Sequence, residues 1–117
     1  MATKKYSTGP LENNGSQSTS VRVKILNNSD SPIEARVQVF QLNGTKTRIY
    51  SETITLPSNS SELIAASVAD LLEFEVQIRI RNGNSSVNKV LVSVFGATPS
   101  GALNPNHRVL HKELKRI

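Results

Sequence analysis

The chain has 117 residues, enough for one domain and too few for two ordinary ones, and 37% of them are hydrophobic, enough for a single core. It contains no Cys, which excludes disulfides and thiolate metal sites, and no apolar run approaches the roughly 20 residues of a bilayer-spanning helix. The formal net charge of +5 favours solubility and anionic partners without naming one.

Residues 1–18 are polar, with Gly9, Pro10, Asn13, Asn14, Gly15 and several Ser and Thr. Such a segment buries too little surface to offset its ordering entropy, so it is expected to be an arm, flexible or held by a partner. Lys4 and Lys5 have no apolar stretch behind them, unlike a secretory signal, so synthesis in the cytoplasm is expected, with retention there or exit by an unusual route such as cell lysis.

From residue 19 the period becomes two. Val21, Val23 and Ile25 alternate with Arg22 and Lys24, the mark of a half-buried strand. The cluster from Asn27 to Pro32 is a turn, after which Ile33, Ala35, Val37 and Val39 alternate with Glu34, Arg36 and Gln38. Asn43-Gly44 predicts a hairpin, because both residue types tolerate positive φ. The return strand covers about residues 45–56 and ends at Pro57 and its Ser/Asn cluster. Residues 62–72 read as a short strand followed by a turn, with one helical turn as the alternative.

Phe74, Val76, Ile78 and Ile80 then point one way, and Glu73, Glu75, Gln77, Arg79 and Arg81 the other. A turn is predicted at Asn82-Gly83-Asn84. The strand over residues 87–95 places Val90, Val92 and Val94 on one face and Leu91, Ser93 and Phe95 on the other; apolar on both faces, it is predicted to be central. Residues 96–106, rich in Gly and Pro, read as a loop, and residues 108–114 as a last strand or short helix. The whole predicts an all-β fold: a single antiparallel β-sandwich, jelly-roll or immunoglobulin-like, of about six to eight short strands over residues 19–117. Its core is expected to contain Val21, Val23, Ile25, Phe74, Val76, Ile78, Ile80, Val90, Val92 and Val94.

Chemistry-bearing patterns are sparse. His107 and His111 are four apart, as on one face of a helix, but only Glu113 lies near to extend that pair toward a metal site, which usually takes four ligands. Glu73 and Glu75 share a strand face with Arg79 and Arg81, the mixed charge of a solvated face rather than an acid–base pair. The segment Gly96–Gly101 lacks the Lys of a phosphate loop and contains Pro99. Arg108, Lys112, Lys115, Arg116, Lys4 and Lys5 concentrate charge at the two ends, yet exposed aromatics for base stacking are few, so nucleic-acid binding is not expected. Sequons at Asn14, Asn27, Asn43, Asn59 and Asn84 read as turns rich in Asn and Ser. No catalytic, cofactor-binding or metal-ligating residue is assigned, and no cofactor.

A polar arm over residues 1–18 followed by a β-sandwich over residues 19–117 resembles, in layout, the small jelly-roll-type subunits on spores of Bacillus-like bacteria, including their pilus-like endospore appendages. In that family an N-terminal connector reaches into the next subunit and carries cross-linking cysteines; this chain has none, so disulfide cross-links are ruled out. The resemblance implies a non-enzymatic structural or assembly protein, self-associating through its arm and sheet edges, with other copies of itself as partners and a spore or cell surface as destination. The alternative expectation is an adapter or ligand-binding module that engages a protein or polymer through loops such as 96–106.

Overall fold

A computed structural model describes residues 2–14, 17–82 and 89–117. The strands are β1 (Ala2–Ser7), β2 (Leu11–Glu12), β3 (Ser20–Asn27), β4 (Ile33–Leu42), β5 (Lys46–Leu56), β6 (Ser60–Ser67), β7 (Glu73–Asn82), β8 (Val90–Ala97), β9 (Leu103–Val109) and β10 (Lys115–Arg116). A 3-10 turn, His111–Glu113, separates the last two. All pairings are antiparallel. One sheet runs β10-β1-β7-β4-β5, with β2 also paired to β7; the other runs β6-β3-β8-β9. The chain is an all-β sandwich.

The alternation decides which way each strand faces. All ten residues expected in the core are buried, each at most 1% exposed, because a one-residue slip would turn every valine of a strand to water. Ala35, Val37 and Val39 complete the interior from β4, and Ile64 and Val68 from the β6 side. The hairpin at Asn43-Gly44 forms as expected: Gly44 has φ +91°, and Leu42 pairs with Lys46 across the turn. Residues 60–67 are strand and are followed by a turn, in which the Leu71 N–H donates to the Val68 carbonyl (3.1 Å). The turn expected at Gly83 and the sequon at Asn84 lie outside the described residues.

Two expectations are corrected. The arm over residues 1–18 is not separate from the sandwich. β1 pairs with β7 over six residues and β2 extends the same contact, so the boundary placed between residues 18 and 19 does not divide the fold. The physical reason is backbone satisfaction: β7 has a backbone edge that β4 does not pair, and a polar segment can complete that ladder without an apolar stripe of its own. Tyr6 drops into the hydrophobic core, 7% exposed, and Leu11 packs against it. Second, the loop expected over residues 96–106 shrinks to a tight turn, Thr98–Ala102, closed by Thr98 N–H to Ala102 O (2.8 Å), because β9 begins at Leu103. The strand expected to be central, β8, is internal to its sheet, between β3 and β9, and Leu91 on its outer face is 45% exposed.

Candidate functional site

His107 and His111 do not share a helix face. His107 lies in β9 and His111 in the 3-10 turn, and each is engaged separately. Along β9, Asn104 and His107 are both buried although three residues apart, an odd spacing that a regular strand would send to opposite faces. A register shift makes this possible: Phe95 pairs with Arg108 while the next residue, Gly96, pairs with Asn104. Pro105 sits in the bulge, where no ladder donor is needed.

The bulge assembles a buried polar network that sequence spacing does not reveal. The Glu12 carbonyl can only accept, so His107 Nε2–H donates to it (2.5 Å) and His107 Nδ1 must accept, from Ser18 Oγ–H (2.6 Å). Asn104 Nδ2–H in turn donates to Ser18 Oγ (2.9 Å). Asn13 extends the seam: its Oδ1 accepts from the Ser18 N–H (2.8 Å), and its Nδ2 donates to the carbonyls of Ser18 (2.9 Å) and Leu71 (3.0 Å). The Phe74 ring meets His107 edge-on at 5.5 Å.

A Ser–His pair with an oriented imidazole has the form of an activated nucleophile. Ser18 is 0%, His107 3% and Asn104 4% exposed, however, so no substrate carbonyl reaches the hydroxyl. The network acts as a clamp that fastens Glu12, Asn13 and Ser18 onto β8 and β9.

His111 Nδ1 accepts the Val92 N–H (3.1 Å), replacing a ladder partner where β9 has already left β8. Its ring packs edge-on against Tyr6 at 5.2 Å. Burial, then the Lys4 charge, hold the imidazole below its ordinary pKa. The unfolded chain therefore takes up the proton first. Stability should decline as pH falls through the unfolded value near about 6.5, and level off below the folded one. Thermal melts across this interval should show that slope, and His111→Gln, whose amide oxygen still accepts the Val92 N–H, should flatten it.

Glu73 and Glu75 do not form an acid–base pair. Burial pushes the Glu75 carboxyl up, but donors from Ser7 (2.5 Å), Lys46 (2.9 Å) and Gln77 (3.2 Å) outweigh it and hold the pKa below the usual carboxylate range. That is the reverse of what a general acid requires. Glu73, at the start of β7, lies beyond this set. Asn27, one of the sequon residues, is fully buried; its Nδ2 donates to the carbonyls of Ser31 (3.0 Å) and Pro57 (3.0 Å) and its Oδ1 accepts from Ser29, so the folded chain offers no amide there for a glycan.

The two outer faces differ in character. On the β6-β3-β8-β9 sheet, Leu26 lies directly opposite Leu91, and Lys24 opposite Leu63. These leucines are 38%, 45% and 45% exposed. They line one shallow groove with Lys24, Glu62 and His111. On the other sheet, Lys5 pairs with Arg79 and Arg79 with Arg36, giving a row of cations across three adjacent strands. Glu34 bridges Arg79 (3.2 Å) and Arg81 (3.6 Å). Burial, and then Arg79, Arg48 and Arg81, pull the Arg36 pKa down against the opposing pull of Glu34.

No protein-family model matches the chain, and no curated protein matches it in sequence. Among solved structures, the chain is similar to the crystal structure of Thermotoga maritima 1070, with a TM-score of 0.55 at 10% identity over 97% of this chain and 90% of that one. At this identity the likeness extends to the fold alone.

Proposed function

We propose that the protein is a non-enzymatic assembly subunit that associates with copies of itself through the outer face of the β6-β3-β8-β9 sheet. The observation that carries this reading is the cluster of exposed leucines Leu26, Leu63 and Leu91 on one outer sheet face. A second copy is the favoured occupant because Leu26, Leu63 and Leu91 form one contiguous apolar patch, and a two-fold contact lays that same patch against itself, leucine on leucine. β6, an edge strand of this sheet, leaves its outer backbone groups open at the border of the same patch. The layout shared with spore-surface subunits is in keeping with an assembly role, and a spore or cell surface is the setting that likeness suggests. Here the first strand is used within its own sheet, so the contact is assigned to the face and edge.

The test is size-exclusion chromatography with light scattering at about 100 μM, well above a micromolar Kd. A mass at a multiple of 12.8 kDa is expected, and Leu91→Lys should restore the monomer while leaving melting nearly unchanged, as for an exposed site. A monomer at every concentration, or assemblies untouched by Leu91→Lys and Leu26→Lys, would overturn this reading.

A further inference from the structure

The outer face of the β1-β7-β4 region has a charge arrangement that folding alone does not favour. Lys5, Arg79 and Arg36 occupy directly paired positions on three neighbouring strands. Strand spacing puts adjacent members about 4.8 Å apart at the backbone. Like charges directly opposite each other destabilise a sheet. Arg81 lies in the next row on the same face, and Arg48 pairs with Phe40 further along β4. Glu34 is the carboxylate shared by Arg79 and Arg81, and among the described residues Arg36 makes no ion pair within 4.0 Å.

A second observation is independent of charge counting. The Nε atoms of Arg36 and Arg79 are both buried and have no hydrogen-bond partner among the described residues. Buried donors are nearly always satisfied, so two orphans on adjacent strands at one spot call for an acceptor. A guanidinium engaged side-on presents Nε–H and one Nη–H together, a fork that matches two oxygens of a tetrahedral oxyanion. A rotation about the side-chain torsions that turns this edge outward supplies both missing acceptors at once.

We propose that this face binds a linear polyanion carrying phosphate-type oxyanions, laid across β1, β7 and β4 with Lys5, Arg79 and Arg36 as its principal contacts. A single oxyanion engages one pair of the row, whereas a chain of them engages all three and relieves the like-charge contacts together. The face recognises charge and not bases: Phe40, the aromatic residue beside it, is already covered by Lys46 Nζ at 4.4 Å from the ring centre, which leaves no open stacking platform. The proposal does not depend on self-association, which uses the opposite sheet.

The experiment is fluorescence anisotropy of the full chain with labelled inorganic polyphosphate over a series of NaCl concentrations. Free phosphate, poly-glutamate and a single-stranded oligonucleotide serve as competitors. Polyphosphate should bind with strong salt dependence and be displaced poorly by free phosphate. Arg36→Gln and Lys5→Gln should each weaken binding about tenfold and reduce the log–log salt slope by about one. Arg108→Gln and Lys112→Gln, equal charge changes at exposed sites elsewhere, should alter it little. Because Arg36→Gln removes like-charge repulsion, its melting temperature should not fall, and Lys5→Gln provides a second variant if it does. Equal losses in the control variants would show diffuse attraction and overturn the site. So would tighter binding of the oligonucleotide with a shallow salt slope, or a polyphosphate affinity unchanged by Arg36→Gln.

Discussion

Phe74→Ala is expected to remove about 3–5 kcal/mol of stability, a large part of what a domain of this size possesses. Phe74 is 0% exposed and heads the fully buried side chains by volume. It sits where β7 pairs on one side with Leu11 of β2 and on the other with Gln41 of β4, under the His107 ring. Truncation removes the ring's transfer free energy and leaves a cavity between two strands that cannot collapse without breaking their ladders. It also withdraws the edge contact that helps hold His107 in its tautomer-specific pair of hydrogen bonds. Urea unfolding should show a much lower midpoint with a similar slope. Leu72→Ala, two residues earlier and 66% exposed, should shift stability by no more than about 0.5 kcal/mol. A loss at Phe74 as small as that at Leu72 would mean that β7 faces the other way.

Gly96→Ala should destabilise by about 3 kcal/mol, large for the addition of one methyl group. Nothing unusual in backbone torsion is involved; the cause is crowding. A Cβ at this position would stand 2.2 Å from Ser18 Oγ and 2.9 Å from His107 Cβ. Ser18 would have to leave the site where it accepts from Asn104 and donates to His107, so the cost combines overpacking with unpaired buried groups. Ser18→Ala alone should cost about 1–3 kcal/mol by orphaning His107 Nδ1 and a donor of Asn104. In the double variant the hydroxyl that the new methyl strikes is gone, so the combined loss should fall short of the sum. Additive losses would show that Gly96 and Ser18 do not share this space.

Much of the architecture is legible in one dimension because a β-strand's side-chain period of two is strict. Val21-Val23-Ile25 and Phe74-Val76-Ile78-Ile80 each have a single phase that buries their apolar members, so class, facing and core follow from local pattern. Asn43-Gly44 is likewise local chemistry, a turn that needs positive φ and a residue able to adopt it. Other features have no local signal. Residues 2–7 form a strand because β7 offers an unsatisfied backbone edge, and hydrogen bonding to a distant strand is blind to the polarity of Thr3, Lys4 and Lys5. The Ser18–His107 clamp joins residues 89 positions apart through a bulge in β9, and a bulge is set by the register of the partner strand rather than by its own residues. The alternation of β7 shows that Arg79 points outward, but only strand order places Lys5 and Arg36 on either side of it. Likewise β3, β6 and β8 each contribute a leucine whose exposure is unremarkable alone; lateral pairing makes three of them one surface. Sequence by itself determined which residues face inward, since that depends on neighbours two positions apart. Tertiary structure alone decided what lies side by side, since that depends on pairing between segments whose separation along the chain carries no energy of its own.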